Sequence, residues 1–425
     1  MKNTNNNQTE IGEVSEVLLQ DYCDVIQYGY TQSASDREVG PKFLRITDIQ
    51  NKPINWNEVP YCEISEKDLK KYLLETGDIV IARTGASTGT NAIYDSKKMP
   101  QSVFASYLIR LKLNEEFDPL YVHYFLQSPF YKEHIAGILG GSAQPNANAQ
   151  QLTNVQITKF DPDYQRQITT VLSSLDDKIE LNRRMNKTLE DMGKTLFKRW
   201  FVNFEFPNEE GKPYKSSGGG MVESKLGEIP QGWKIKDLGE IFEINTKSIN
   251  PSKHPDQVFW HFSIPSYDQY GSPTSEAGIT IKSNKTQIQD RSILVSKLNP
   301  KQEVRVWSVY AGSWGGNAIS STEFINFVPD GKDWAFANFL FRNEDFYNRF
   351  ADMSTGSTGS RQRVRPTEAK KLNFVYPSEH ARLLFNSVIE PVLVEIDKNA
   401  RETMVLKELR DSLLPRLMSG KLRVN

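Results

Sequence analysis

The stretch QRQITTVLSSLDDKIELNRRMNKTLEDMGKTLFKRWF (residues 165–201) decides the fold. Apolar residues recur along it at spacings of three and four, at Ile168, Leu172, Leu175, Ile179, Leu189, Leu196 and Trp200. Most positions between them are charged, so the pattern predicts one long amphipathic helix. A helix of this length spans roughly 55 Å, which is too long to be buried inside one small domain. It therefore needs a partner helix.

The chain supplies a partner at residues 382–417, where the same apolar pattern returns at Phe385, Ile389, Val392, Ile396, Leu406, Leu413 and Leu417. A shift of 217 residues aligns the two patterns and also places Asn182 on Asn399. Coiled coils use a buried asparagine to fix register and orientation. We therefore predict an antiparallel helix pair in which these two asparagines set the register. The alternative is two unrelated amphipathic helices.

The rest of the chain repeats in the same way. A buried strand and polar loop at 77–89 match a second set at 292–301, and helices are expected at 120–139 and 333–353, each followed by a glycine-rich loop. We predict a pseudo-two-fold tandem duplication of mixed α/β (α+β) fold, joined by the two long helices. The expected boundaries are a first globular domain at 1–163, a long helix at 164–205, a flexible linker at 206–228, a second globular domain at 229–379 and a final long helix at 380–425.

Composition limits the classes of function. The 425 residues are 38% hydrophobic and 25% charged, as in ordinary soluble proteins. There is no export signal and no apolar run long enough for a membrane helix, so a cytoplasmic protein without a membrane partner is expected. The net charge of −1 argues against nucleic-acid binding when taken alone. However, basic residues cluster locally at 282–305 and 361–371.

Catalytic signatures are missing from the sequence. It contains no NPPY-type tetrapeptide for base methylation, no GxxxxGK[ST] phosphate loop and no FxGxG-type cofactor loop. The five histidines and two cysteines show no metal-binding spacing. We therefore expect no catalytic residues, no metal site and no cofactor in this chain.

Two similar globular domains at a fixed separation suit the recognition of two half-sites on one DNA duplex. Asparagine and glutamine can pair with adenine, and arginine with guanine or phosphate. The candidate DNA-binding residues lie in the loops of the two domains: Arg83, Ser87, Gln144, Asn146, Asn148, Gln150, Lys297, Lys301, Arg361, Gln362 and Arg363. The alternative for each loop is an ordinary solvated surface.

The layout resembles the specificity (S) subunits of type I restriction–modification enzymes. The resemblance is carried by GDIVIARTG (77–85), IPQGWKIKDLGEI (229–241), the segment 171–201 and DSLLPRLMSGKL (411–422). It covers essentially the whole chain, although the first domain has no clear G-x-W motif at its start.

This resemblance implies a non-catalytic subunit whose two target recognition domains each read half of a bipartite, asymmetric DNA sequence. It implies that the helices dock two modification (methyltransferase) subunits, and that restriction (ATP-dependent translocase and nuclease) subunits join the complex. The complex would be a type I site-specific deoxyribonuclease and adenine N6-methyltransferase, with S-adenosylmethionine, ATP and Mg on the partner subunits only. Two alternatives remain open: a coiled-coil adaptor with two protein-binding domains, or the S subunit of a fused nuclease–methylase system.

Overall fold

The computed structural model of the protein describes residues 15–50, 53–140, 146–289, 291–302, 304–356 and 362–424. The chain divides into two compact units. Unit 1 comprises Met1–Asp177 and Leu406–Asn425, and unit 2 comprises Lys178–Val405.

The globular part of unit 1 combines eight strands with five short helices among the described residues. These are β1 Ser15–Leu18, β2 Cys23–Tyr28, β3 Lys42–Leu44, α1 Ile46–Gln50, α2 Glu66–Tyr72, β4 Ile79–Ala82, β5 Asn91–Ile93, β6 Ser102–Phe104, β7 Leu108–Leu113, α3 Pro119–Phe125, α4 Pro129–Leu139, α5 Ala149–Thr153 and β8 Gln156–Lys159. The central antiparallel sheet has the order β2-β7-β4-β5. Strands β3 and β6 pair in parallel, and β1 and β8 pair antiparallel.

The chain then forms the long helix α6, Pro162–Phe197, which ends in a short π-helical turn at Lys198–Val202. The elements of unit 2 that follow are β9 Met221–Ser224, β10 Gly227–Pro230, β11 Lys234–Asp237, α7 Leu238–Ile241, β12 Glu243–Ile244, β13 Ser248–Ile249, β14 Val258–Phe262, α8 Ile264–Tyr270, β15 Thr274–Ala277, β16 Lys285–Gln287, β17 Ser292–Ser296, β18 Val306–Val309, β19 Ala318–Ser320, β20 Phe324–Val328, α9 Trp334–Leu340, α10 Glu344–Asp352, α11 Pro366–Ala369, β21 Asn373–Tyr376 and the second long helix α12 Glu379–Met418.

Unit 2 repeats the strand connectivity of unit 1. Its antiparallel sheet β12-β20-β17-β18 has the same order as β2-β7-β4-β5, and the pair β11–β21 corresponds to β1–β8. The parallel pair β14–β19 corresponds to β3–β6, and in unit 2 it is extended by β13, β15 and β16 into a five-stranded sheet. The predicted tandem duplication of a mixed fold is therefore confirmed.

The sequence of strand β4, IVIA, is a continuous apolar run because both faces of the strand are buried. Ile79 and Ile81 face one hydrophobic core, which also contains residues of α3 and α4, whereas Val80 and Ala82 face a second core. Side chains alternate between the faces of a strand, so a strand covered on both faces must be apolar throughout.

The two long helices pair in antiparallel fashion, as predicted. In unit 1, Ile168 near the start of α6 shares a core with Leu417 near the end of α12. In unit 2, Trp200 just after α6 packs edge-to-face against Phe385 near the start of α12, with ring centroids 5.7 Å apart. Both helices are a few residues longer at their starts than the apolar pattern alone indicated.

The two seam asparagines are buried, and each makes a hydrogen bond to the other helix within unit 2. Asn182 donates to a carboxylate oxygen of Glu402 at 2.8 Å, and Asn399 donates to the amide oxygen of Asn186 at 2.9 Å. They do not bond to each other. Their effect on register stays a prediction.

Two expected single helices are each divided. In unit 1, the break between α3 and α4 falls at Ser128-Pro129, where the serine hydroxyl accepts a hydrogen bond from the Tyr131 amide. In unit 2, Asn343 caps α10 in the same way through the Phe346 amide. A side-chain cap starts a new helix because it satisfies an amide without a partner in the helix.

The segment expected to be a flexible linker, 206–228, contains regular structure. Strands β9 and β10 form an antiparallel hairpin, and Tyr214 stacks on Phe206 with ring centroids 4.6 Å apart. Phe206 also packs against Trp233. The segment is ordered because its aromatic residues bury apolar surface. Its glycine and lysine content had indicated a flexible linker. Among the described residues, no helix is both long and apolar enough to cross a bilayer.

Candidate nucleic-acid interface

In unit 1, the loop after β4 is held by two backbone hydrogen bonds at Arg83. Its amide donates to the carbonyl of Tyr107 at 3.1 Å, and its carbonyl accepts from the amide of Ala147 at 2.9 Å. Next to it, Thr84 and Asn146 form an isolated β-bridge. The structure thus brings together two predicted site residues, Arg83 and Asn146, that are 63 positions apart in the chain.

The side chain of Arg83 makes hydrogen bonds only to neutral groups among the described residues. Its guanidinium donates to the Asn146 amide oxygen at 3.2 Å and to the Ala147 carbonyl at 3.3 Å, and it lies 5.1 Å from the ring centre of Tyr28. Its positive charge is therefore not cancelled by an ion pair in the described part of the chain. An arginine in this state suits a phosphate or the guanine edge.

Tyr28 is a member of this site that sequence reasoning missed. Its side chain is 43% exposed, and its hydroxyl accepts a hydrogen bond from the amide of Ala149 at 3.1 Å. It ends β2, whose residues alternate between exposed and half-buried. The alternation is seen only in the structure, and the sequence carried no signal because the partner of Tyr28 is more than 100 positions away.

The other predicted residues of unit 1 have different surroundings. Asn148 accepts a hydrogen bond from the Gln151 amide and so begins α5, which gives it a structural role. Gln150 is exposed in the first turn of α5. The hydroxyl of Ser87 accepts a hydrogen bond from the side chain of Gln50. Gln144 lies outside the described residues.

Unit 2 holds the loop after β17 with the same set of contacts, namely two backbone hydrogen bonds and one isolated β-bridge. We call this set the backbone frame. The amide of Lys297 donates to the carbonyl of Glu323 at 3.0 Å, and the carbonyl of Lys297 accepts from the amide of Val364 at 3.0 Å. Leu298 and Arg363 form the isolated β-bridge that corresponds to Thr84 and Asn146. The frame therefore places Lys297 where unit 1 has Arg83, and Arg363 where unit 1 has Asn146.

Two of the predicted cations of unit 2, Lys301 and Arg363, are paired with acids. Arg363 donates to both carboxylate oxygens of Glu323, at 3.0 and 3.2 Å, and Lys301 lies 2.9 Å from Asp352. The hydrogen bond and charge of Glu323 raise the pKa of Arg363 above its ordinary value, so the guanidinium stays cationic.

The remaining predicted residues of unit 2 help to hold its loop. The amide of Gln362 donates to the side-chain oxygen of Asn299 at 3.2 Å, and its carbonyl accepts from the Asn299 amide at 2.8 Å. Arg361 lies outside the described residues. No trio of histidine, cysteine or acidic side chains in the described ranges is arranged to hold a metal ion.

Comparison with known proteins gives one consistent result. Residues 11–191 match the family model described as the type I restriction modification DNA specificity domain. The matched segment, which spans the first globular domain and most of α6, is thus similar to type I restriction–modification specificity subunits. This similarity supports the predicted role in DNA recognition.

Two curated relatives carry the same designation. The type I restriction enzyme MjaIX specificity subunit of Methanocaldococcus jannaschii is 29% identical over 322 residues, which cover 72% of this chain and 69% of the relative. The HindI specificity subunit of Haemophilus influenzae is 21% identical over 441 residues, covering 89% and 94%.

A solved structure shares the fold. The crystal structure of the type I restriction–modification S subunit from M. genitalium matches with a TM-score of 0.56 and covers 98% of both chains. Its sequence identity is 14%, so this match concerns the fold alone.

Proposed function

We propose that this protein is a specificity subunit that reads a bipartite, asymmetric DNA target, with one half-site for each of the recognition domains at 1–163 and 229–379. The observation that carries the proposal is the repeated backbone frame. The same two hydrogen bonds present the loops at Arg83 and Lys297, while the side chains on the frames differ. Two equal frames with unequal side chains suit two half-sites of different sequence.

The two loop regions favour different DNA contacts. In the first, Arg83 and the exposed amides of Asn146 and Gln150 suit an adenine edge and the neighbouring phosphate. In the second, the forked guanidinium of Arg363 suits guanine, and Lys297 and Lys301 suit phosphates. The proposed DNA-binding residues are Arg83, Ser87, Gln144, Asn146, Asn148, Gln150, Lys297, Lys301, Arg361, Gln362 and Arg363.

We further infer that the long helices dock two modification subunits. Leu181, Met185 and Met192 lie on one face of α6, because their spacings of four and seven return to nearly the same angle. They are 45%, 36% and 59% exposed, and exposed apolar side chains grouped on one face favour a protein partner. Restriction subunits would complete the assembly in the cytoplasm. S-adenosylmethionine, ATP and Mg would bind to those partners, with no cofactor in this chain.

A domain exchange tests the proposal. Residues 229–379 are replaced by the corresponding segment of a specificity subunit with a known target, and the methylated sequence is determined in cells that carry the modification subunits. We expect one half-site to change and the other to stay. The reciprocal exchange of 1–163 is the matched control and should change only the other half-site. A target that is unchanged by both exchanges, or methylation by the isolated chain, would refute the proposal.

A further inference from the structure

Two residues outside the predicted set occupy equivalent positions in the two frames. Tyr107 in unit 1 and Glu323 in unit 2 each accept the amide that fixes the loop, from Arg83 and Lys297 respectively. Their side chains differ completely. Tyr107 is 59% exposed, whereas the Glu323 carboxylate binds Arg363 through both oxygens. Position 323 therefore has a role in unit 2 that has no counterpart in unit 1.

The geometry of the Glu323–Arg363 pair leaves one side of the guanidinium open. Glu323 binds Nε and Nη2 of Arg363. The guanidinium is planar and carries five N–H donors, so Nη1 and the second Nη2 hydrogen point away from the carboxylate. Two parallel donors on that edge match the O6 and N7 acceptors of guanine. The arginine side chain is 48% exposed, so this edge is accessible.

Charge favours a base over a phosphate at this place. The Glu323 carboxylate cancels most of the arginine charge, and a phosphate brought to Arg363 would meet that carboxylate as a like charge. A guanine edge is neutral and has no such penalty. Holding the side chain in place before binding also removes the cost of ordering a long flexible arginine.

We propose that Glu323 is a specificity-determining residue, which positions Arg363 to read one guanine in the half-site of the second domain. The inference rests on the proposed function and goes beyond it by assigning one base to one side-chain pair. Glu323 acts through Arg363 and is a positioning residue. The Lys301–Asp352 pair cannot do the same, because an ammonium group has no planar fork.

The test uses the complete complex of this chain with its own modification subunits. Methylation is measured on a DNA pool in which each base pair of the target is varied, so that discrimination is obtained position by position. For Glu323→Gln, which keeps the shape and removes the charge, discrimination should fall at one G·C pair. The loss should lie roughly between 5- and 150-fold, the range of a bidentate base contact.

Further variants distinguish a role of Glu323 in positioning Arg363 from a general loss of folding or DNA binding. Arg363→Ala should lose discrimination at the same base pair, and the double variant Glu323→Gln/Arg363→Ala should lose no more there than Arg363→Ala alone. Asp352→Asn, which removes the acid of the Lys301–Asp352 pair, is the matched control. It should leave the discrimination at each base pair unchanged.

The outcomes distinguish this inference from the proposed function. A uniform fall in methylation with an unchanged base profile would mean that the pair contacts phosphate or only supports the fold, and would overturn the inference. Relaxation spread over several positions or over both half-sites would also overturn it. If the unaltered complex showed no two-part target, the proposed function itself would fall.

Discussion

The two units anchor the start of their long helices at equivalent positions with different chemistry. In unit 1, the buried Gln165 donates to the carbonyl of Phe160 at 2.8 Å. In unit 2, the residue 217 positions later is Arg382, which donates to the carbonyl of Pro377 at 3.2 Å and also forms a buried ion pair with Asp333. One anchor is neutral, and the other is charged.

The difference determines how much each anchor depends on its partner. Gln165 distributes its hydrogen bonds over three backbone groups, so no single partner is essential. Arg382 needs Asp333, because a buried charge without its partner is strongly unfavourable. Tyr376 completes this second anchor: its hydroxyl donates to Asp333 at 2.7 Å, and its ring lies 4.1 Å below the guanidinium.

The largest expected effect comes from removing the acid of the charged anchor. Asp333→Asn leaves Arg382 buried and without its counter-charge, so it should cost about 3–5 kcal/mol. Gln165→Ala in the neutral anchor should cost about 1–3 kcal/mol, since it leaves backbone groups without partners. Amide hydrogen exchange at the starts of α12 and α6 measures the two opening free energies.

A control and a double variant sharpen that comparison. Glu379→Gln removes the acid of the exposed Lys332–Glu379 pair beside the charged anchor and should leave stability almost unchanged, because solvent screens exposed charges. Asp333→Asn combined with Arg382→Gln converts the charged anchor to the neutral kind and should lose less than Asp333→Asn alone. Equal losses of opening free energy for Asp333→Asn and Gln165→Ala would show that the charged anchor depends on its partner no more than the neutral anchor does.

The packing of α3 and α9 against the long helices provides a second comparison. In unit 1, the Tyr124 hydroxyl donates to Asp176 at 2.7 Å, Arg410 donates to the same carboxylate at 2.7 Å, and a cavity of about 340 Å³ lies beside them. Gly193, the counterpart of Arg410 in unit 2, is covered by the ring of Phe339. A polar cluster in one unit is thus replaced by close apolar contact in the other.

Gly193→Ala should have the next largest effect. A Cβ atom at this position would overlap the end of the Phe339 ring, which is almost fully buried. Overpacking of this kind costs about 1–3 kcal/mol, more than the roughly 1 kcal/mol that alanine gains over glycine in a helix. Thermal unfolding of unit 2, followed by near-ultraviolet circular dichroism, measures the change.

The matched control for Gly193 is another helical glycine. A Cβ atom added to Gly137 in α4 would have open space within 4 Å, so Gly137→Ala should stabilise unit 1 by about 0.5–1 kcal/mol. The loss at Gly193 should be recovered in part by Phe339→Leu, which shortens the overlapping ring. A stabilising Gly193→Ala would contradict the close contact.

Much of this fold could be predicted from local patterns in the sequence. The apolar spacing located both long helices. The helix expected from residue 120 begins at Pro119, where the Asp118 carboxylate accepts from the Leu120 amide at 2.7 Å. Equal spacing of the elements in the two halves indicated the duplication. These features depend on residues a few positions apart, or on a comparison of the chain with itself.

The contacts of the candidate site could not be predicted in this way. Glu323 and Arg363 are 40 positions apart, and neither lies in a motif that marks it as half of a pair. The two anchors were also hidden, because glutamine at 165 and arginine at 382 have different chemistry at equivalent positions. Such contacts depend on which strands become neighbours, and the side chains alone do not specify that.

The smallest expected effect concerns pH and compares two acids at equivalent positions of the long helices. Glu180 in α6 is solvent-accessible and lies 3.6 Å from Arg184. Asp397 in α12 has a similar neighbour in Arg401 at 3.6 Å, but it is largely buried and accepts a hydrogen bond from the Trp314 indole at 3.1 Å. Burial raises the pKa of Asp397 above its ordinary value.

The sign of the pH effect on stability follows from the raised pKa of Asp397. A raised pKa means that the folded protein binds a proton at pH values where the unfolded chain does not, so the free energy of unfolding falls as pH rises from about 4 through the raised pKa. Asp397→Asn removes this dependence, because the amide is neutral at every pH and can still accept from Trp314. The variant should therefore gain stability relative to the unaltered chain as pH rises, with the gap smallest near pH 4. Denaturant unfolding of unit 2 at several pH values measures the gap. A gap that narrows with rising pH would mean that Arg401 outweighs burial at this site.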